Sequence, residues 1–187
     1  MKEFRVDLHL HTCLSPCGSL EMSPQRIVET ALERGLDAIA VTDHNSTLQC
    51  PEILALGEER GLMVFAGAEV TTREEAHCVA LFADDRARAA FQMYLDDNLP
   101  PVPNDPERFG DQVWVNARNE IVGGSPLSAY LGPRPECGTD CRSGASSGRV
   151  VHCGPCRTSF VQPDQPVGVY RSFVAAGCDR VQGCCPL

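Results

Sequence analysis

The stretch Phe4-Arg5-Val6-Asp7-Leu8-His9-Leu10-His11 alternates apolar and polar residues without a break. A period of two predicts a β-strand over residues 4–11. Residues two apart on a strand lie on the same face, so we expect His9 and His11 side by side with Asp7 beneath them. Two imidazoles beside a carboxylate supply half of a metal site, although solvated histidines on a polar strand face are the simpler interpretation of an isolated His-x-His.

The next residues predict helices and strands in alternation. The segments are a helix from Ser23-Pro24 to Gly35, a strand over 38–41, a helix from Pro51 to Arg60 and a strand over 62–66. Ser before Pro is typical of a helix start, and Gly of a helix end. Such βα units predict an α/β fold with a parallel sheet or barrel.

An antiparallel hairpin is predicted next, because only a few residues separate 70–72 from 77–82, too few for a parallel crossover. A turn centred on Arg73-Glu74 would make Glu69 and His77 cross-strand neighbours. A helix over about 84–98 and a strand over 112–116 are predicted to follow.

Charge and hydropathy limit the partners. The net charge of −9 and the pI of about 5.0 argue against a surface that binds nucleic acid through bulk positive charge. Nucleic acid is therefore expected only as a substrate held by metal ions. No apolar run has the length of a membrane span, and the first residues do not resemble a signal peptide, so we expect no membrane association and a cytoplasmic location.

Polar residues follow each of the first predicted strands. These residues are His9 and His11, then Asp43 and His44, then Glu69, with His77 across the hairpin. Parallel α/β folds gather the carboxyl ends of their strands at one edge, where sites form. Each residue alone has an ordinary structural explanation, but together they predict a metal site.

The residues resemble a known family, the PHP domain (polymerase and histidinol phosphatase). The resemblance covers residues 4–123 and rests on Asp7-Leu8-His9-Leu10-His11-Thr12, Thr42-Asp43-His44, Gly67-Ala68-Glu69-Val70-Thr71 and His77-Cys78-Val79-Ala80-Leu81-Phe82. It implies the N-terminal part of a distorted (βα)7 barrel with two or three Zn, Mn or Fe ions. It also implies a metal-dependent phosphoesterase that acts on a small phosphorylated substrate or nucleotide.

The resemblance also implies roles for single residues. His9 and His11 would bind a first metal, Glu69 would bridge the first and second metals, and His77 would bind the second. His44 would bind a third metal or face the phosphate, and it forms the candidate catalytic pair with Asp43. Cys17 occupies a position where relatives place His or Asp; it is either a thiolate ligand or a small buried side chain.

The character of the chain changes near Gly123. Residues 124–187 hold seven of the eleven cysteines but only four of the 25 acidic residues, and they lack a clear amphipathic pattern. We therefore divide the chain into a PHP-like metal-binding domain over 1–123, an incomplete barrel, and an irregular or disordered Cys-rich tail over 124–187. A shift of reading frame near codon 123 would explain this change, and the coding DNA would test it. We expect weak or absent activity from such a truncated barrel.

The tail cysteines offer an alternative from another class of function. Cys137, Cys141, Cys153 and Cys156 have spacings found in zinc ribbons, and Cys153-Gly154-Pro155-Cys156 matches a redox motif that needs a preceding strand and a following helix. On this interpretation the chain is a non-catalytic zinc-binding or interaction protein.

Overall fold

The computed structural model describes residues 3–71, 77–129 and 150–155, the last of these as backbone alone. Seven strands and four helices are found within these ranges. In chain order they are β1 (Val6–Leu10), α1 (Pro24–Glu33), β2 (Ala38–Val41), α2 (Cys50–Arg60), β3 (Met63–Thr71), β4 (His77–Phe82), α3 (Asp85–Asn98), α4 (Pro106–Phe109), β5 (Val113–Val115), β6 (Ile121–Gly124) and β7 (Val150–Pro155).

Five of the strands form one sheet in the order β1-β2-β3-β4-β7. The pairs β1–β2 and β2–β3 are parallel, whereas β3–β4 and β4–β7 are antiparallel. The predicted α/β class is therefore confirmed, including the change from parallel to antiparallel pairing at the hairpin. Strands β5 and β6 form a separate two-stranded sheet that the sequence predicted only in part.

The first strand is shorter and less regular than its alternation predicts. It ends at Leu10, and its register against β2 shifts between Asp7 and Leu10. As a result Leu8 and Leu10 pack into different apolar clusters, although perfect alternation would place them on one face. His11 lies beyond the strand, so a local irregularity, and not strict alternation, brings it beside His9.

Strand β3 runs through the predicted end of the third strand and the start of the hairpin. It pairs with β2 over its first residues and continues antiparallel to β4, so that Glu69 lies inside a strand. The predicted opposition of Glu69 and His77 is wrong by two residues, because Thr71 pairs with His77 and Glu69 pairs with Val79. A shift of two keeps both side chains on the same face of the sheet.

The apolar core lies on both faces of this sheet. Helices α1 and α2 bury Ile27, Val28, Ile53 and Leu56 against Ile39, Val41 and Ala66 on one face. Helix α3 buries Phe91 and Leu95 against Val70 and Phe82 further along that face. The opposite face carries Ala40, Val79 and Leu81. This opposite face also carries Glu69 and His77, which follow the same alternation along β3 and β4.

The predicted helix ends are confirmed by the capping contacts. The Ser23 side chain caps α1 by accepting from the Arg26 amide, and Gly35 follows the helix with φ +66°. Helix α2 begins one residue earlier than predicted, at Cys50, and is followed by Gly61 with φ +74°. Asp84 caps α3 through the Ala87 amide. These caps satisfy amide groups that a helix start leaves unpaired.

Strand β5 and the residues on either side of it form hydrogen bonds with a loop at the carboxyl end of the sheet and with each other. Gln49 donates to the Val115 carbonyl and accepts from its amide, and Gln112 accepts from the Ala129 amide. Ala129 and Ser128 are buried.

The proposed division at residue 123 stays a prediction. No helix within the described part of the chain combines the length and apolar character that a bilayer span requires.

At Gly57 we expect an alanine to change the stability in the direction opposite to that predicted by helix propensity. A Cβ at this position of α2 would lie 2.3 Å from Val64 Cγ2 and 2.9 Å from the Leu62 carbonyl oxygen. Gly-to-Ala inside a helix ordinarily stabilises by roughly 1 kcal/mol, yet overpacking typically costs about 1–3 kcal/mol. We expect Gly57→Ala to lower the free energy of unfolding, measured by urea denaturation followed by circular dichroism.

The control is Ala55→Gly at an exposed position of the same helix. It should lose only about 0.5–1 kcal/mol of propensity. A Gly57→Ala variant that is more stable than the parent would contradict the close approach of α2 to β3.

Candidate metal centre

Four histidines surround the carboxylate of Glu69. Oε2 of Glu69 lies 3.0 Å from His9 Nε2, 3.0 Å from His11 Nε2 and 3.5 Å from His44 Nδ1, and Oε1 lies 3.1 Å from His77 Nδ1. His9 Nε2 and His11 Nε2 are 3.1 Å apart. The structure thus brings together five of the residues that the sequence singled out for a metal site.

The backbone fixes Glu69 between two neighbouring segments. Its amide donates to the Asp43 carbonyl at 3.0 Å, and its carbonyl accepts from the Asn45 amide at 2.8 Å. These bonds form a parallel bridge between His44 and Glu69 just beyond the end of β2. His44 and Glu69 therefore meet because the strand pairing continues for one more step.

Asp43 does not join the histidine cluster through its carboxylate. Its oxygens accept from the Thr12 amide at 2.7 Å, from the Thr12 hydroxyl at 2.8 Å and from the Ser15 hydroxyl at 2.8 Å. The side chain is buried and ties the loop after β1 to the loop after β2. Its catalytic role stays a prediction, whereas its contacts hold the loop that carries His11.

The loop after β1 also presents Cys17. One ligand atom from each of His11, Cys17 and His44 lies within 4.8 Å of the others, and the Cys17 thiol is exposed. Two further groups meet the same criterion, one of His9, His11 and Glu69 and one of His44, Glu69 and His77. Gly18 closes this loop, since a Cβ there would lie 1.9 Å from the Thr12 carbonyl oxygen.

Burial and neighbouring charges shift the pKa values of Glu69, His11 and His44. Burial alone would raise the pKa of Glu69, but hydrogen bonds from His11 and His9 hold it well below its usual range. Burial opposes the charged form of His11, yet contacts with Cys17 and Glu69 raise its pKa to about 9. Burial and the charge of His11 lower the pKa of His44 to about 4. Glu69 and His11 thus form the ion pair, and His44 stays neutral beside it.

This donor set fits divalent metal ions. Neutral imidazoles that turn their nitrogens toward each other and toward a carboxylate repel unless a proton or a cation lies between them. Imidazole and carboxylate together suit Zn, Mn or Fe, and a thiolate favours Zn. Glu69 belongs to two of the three groups. Its Oε2 faces His9, His11 and His44, and its Oε1 faces His77.

Two residues that build this centre, Ser15 and Asn45, were not predicted from the sequence. Ser15 contacts Asp43 and His11, but its only sequence signal is its position four residues after His11. Asn45 has φ +49°, accepts from the Thr71 amide and donates to the Ala129 carbonyl. Asn after Asp-His was a usable signal, because Asn adopts left-handed turns more readily than most residues.

The predicted tail motifs fall almost entirely outside the described residues. Cys137, Cys141 and Cys156 lie outside them, and so does the turn centred on Arg73-Glu74. Cys153 lies within β7, where its backbone pairs with Ala80. The strand continues to Pro155, whereas the redox motif needs its first cysteine to follow a strand.

The first half of the chain is similar to known proteins. The profile of the PHP domain matches residues 7–97. A DNA polymerase III of PolC type from Oceanobacillus iheyensis is 34% identical over 82 residues, which cover 44% of this chain and 6% of the polymerase. An uncharacterized protein from Methanocaldococcus jannaschii is 32% identical over 90 residues, 43% of this chain and 52% of that protein.

A solved structure is similar in fold. It is a Bifidobacterium adolescentis protein assigned as a metal-dependent phosphoesterase, with a TM-score of 0.50 and 19% identity over 76% of this chain and 64% of that one. The present chain spans about half or less of the length of the curated relatives described above.

The fold and the site define an α/β domain with a histidine-rich candidate metal centre at the carboxyl end of its parallel strands. Within that class, residues 7–97 match the PHP domain. The resemblance that the sequence motifs implied is thereby confirmed, and every residue of the histidine cluster lies inside the matched range.

The pKa values predict how the stability of the metal-free chain depends on pH. His11 has a raised pKa, so its contribution is fully present below about 6.5 and is lost as the pH rises to about 9. His44 has a lowered pKa, so its contribution is present above about 6.5 and is lost as the pH falls to about 4. These two groups together favour maximal stability near pH 6.5.

Urea unfolding in the presence of EDTA at several pH values measures this dependence. His11→Gln should flatten the decline between pH 6.5 and 9, with His152→Gln as a control. A decline that persists in His11→Gln would show that another group is responsible.

Proposed function

We propose that this chain supplies the metal-binding part of a PHP-type phosphoesterase, which hydrolyses phosphomonoesters or nucleotide phosphodiesters. The observation that carries the proposal is the carboxylate of Glu69, whose two oxygens contact different histidines. A shared carboxylate between imidazole groups is the arrangement that holds two metal ions close together.

Each ion would have its own ligands. His9, His11 and Glu69 would hold one ion, and His44, Glu69 and His77 would hold a second. Cys17 would serve a third position with His11 and His44, where its thiolate favours zinc over manganese. The proposal therefore includes Zn, Mn or Fe as the metal and Cys17 as a ligand.

The chain's own residues would position the reactants. When bound, paired divalent ions neutralise the phosphoester and lower the pKa of a water molecule. Glu69 is almost wholly buried, with 4% of its side chain exposed, so its geometry is fixed by the protein. His9 and His77 expose 39% and 40% of their side chains, and an anionic substrate would approach past them.

The charge of the chain limits the substrate. With a net charge of −9, the chain would repel an anionic substrate at long range, so metal ions would have to attract it at the site. A small phosphorylated compound or nucleotide, or a nucleic-acid end held through those ions, fits this condition. A cytoplasmic location is part of the same proposal.

Metal content distinguishes this proposal from the alternative of a zinc-binding protein that uses its C-terminal cysteines. We expect the double variant His9→Ala with His11→Ala to lose its bound metal, because two of the ligands of one group are removed. The double variant Cys153→Ser with Cys156→Ser should keep it. Elemental analysis of the purified chains after dialysis measures the metal content.

The opposite pattern would contradict the proposal. Loss of metal only in the cysteine variant would support the zinc-ribbon alternative. Retention of metal in both variants would show that neither the histidine cluster nor the cysteine pair is needed to bind it.

Turnover tests the chemistry. We expect hydrolysis of p-nitrophenyl phosphate by this chain with Mn²⁺ or Zn²⁺ to be weak or absent, and any turnover to be lost in Glu69→Gln, which removes the shared charge. Glu58→Gln on the exposed surface of α2 is the matched control. A rate comparable to that of a full-length relative would contradict the expected incompleteness, and turnover unaffected by Glu69→Gln would contradict the site.

A further inference from the structure

The Ser15 hydroxyl lies where the loop after β1 meets the loop after β2. Its oxygen is 2.8 Å from Asp43 Oδ1, 3.0 Å from His11 Nδ1 and 3.0 Å from the His44 amide nitrogen. The residue is 1% exposed. One buried hydroxyl therefore contacts a carboxylate, a candidate metal ligand and the backbone of a second candidate ligand.

The directions of these hydrogen bonds follow from counting protons. A serine hydroxyl donates one proton and accepts at two lone pairs. The His44 amide is always a donor and occupies one lone pair. Ionised Asp43 can only accept, so Ser15 donates its hydroxyl proton in a hydrogen bond to Asp43. The remaining lone pair faces His11 Nδ1, which must then carry a proton.

We propose that Ser15 is a positioning residue that keeps the proton of His11 on Nδ1, so that Nε2 is the nitrogen that binds metal. This proposal rests on the proposed function, in that a metal binds at the histidine cluster. The geometry agrees with it, because His11 Nε2 faces both Glu69 Oε2 and His9 Nε2 at 3.0 and 3.1 Å.

The charge behind Ser15 strengthens the effect. Asp43 is held by Thr12 as well as by Ser15, so its carboxylate cannot turn away from the hydroxyl without breaking two further hydrogen bonds. A hydrogen-bonded partner on the far nitrogen of a ligating histidine fixes the ring orientation and raises its basicity. Here that partner is a hydroxyl polarised by a buried carboxylate.

The opposite arrangement makes a different prediction. If Asp43 were protonated and donated to Ser15, the hydroxyl could donate to His11 Nδ1, and the proton of the neutral ring would lie on Nε2. Metal would then have to bind Nδ1 or displace the proton on Nε2. The state of the His11 ring nitrogens separates the two arrangements.

The test is nitrogen-15 NMR of the full chain with labelled histidine, recorded without metal and during titration with Zn²⁺. We expect His11 to show a protonated Nδ1 in both states and a zinc-bound Nε2 in the second. In Ser15→Ala the Nδ1 proton should exchange rapidly with solvent, and zinc affinity should fall about 10- to 100-fold. Ser15→Thr keeps the hydroxyl and should restore both the protected Nδ1 proton and the zinc affinity.

Ser46→Ala is the matched control, because Ser46 is also buried but, among the described residues, its hydroxyl accepts from the local Leu48 amide and does not contact the histidine cluster. It should leave the His11 signals and the zinc affinity unchanged. Zinc bound to Nδ1 of the parent chain, or an Nδ1 proton equally protected in Ser15→Ala, would overturn the proposal without any need for activity.

Failure of the proposed function gives a separate result. If the parent binds no zinc, the metal site is refuted. The role of Ser15 is then decided on the metal-free ring, where a protected Nδ1 proton supports it and an unprotonated or unprotected Nδ1 overturns it.

Discussion

The buried carboxylate of Glu69 is the constraint on which the site depends. Its backbone continues the pairing of β3 past the end of β2, and its side chain lies within 3.5 Å of four imidazoles. A charge this buried is costly unless it is paired. The surrounding histidines provide that pairing, so the same carboxylate requires the cluster and organises it.

A second buried carboxylate works one step further from the cluster. Asp43 accepts three hydrogen bonds from Thr12 and Ser15, and burial raises its pKa against the effect of these bonds. Glu69 faces the imidazoles directly, whereas Asp43 is hydrogen-bonded to the Ser15 hydroxyl, which in turn contacts His11 Nδ1. Glu69 therefore contacts the candidate ligand atoms, and Asp43 holds the loop that carries His11.

The sequence predicted the residues of the cluster better than the geometry that joins them. The residues His9, His11, Glu69 and His77 stand out because their positions at strand ends are local features of the chain. The register of β3 against β4 was wrong by two residues, because it depends on turn residues that the pattern does not determine. The contacts of Ser15 and Asn45 could not be predicted either, since they join loops that are distant in sequence and carry no periodic signal.

Exposure differs between the inner and the outer residues of the cluster. Glu69 and His44 expose 4% and 12% of their side chains, whereas His9 and His77 expose 39% and 40%. The buried centre is therefore held by the protein, and the outer ligands face solvent. All five come from residues 9–77, so the proposed ion binding would need only the part of the chain that the PHP domain matches. On the proposed function, recognition of a phosphoester would depend on groups near His9 and His77, so metal content and turnover would respond differently to the same substitution.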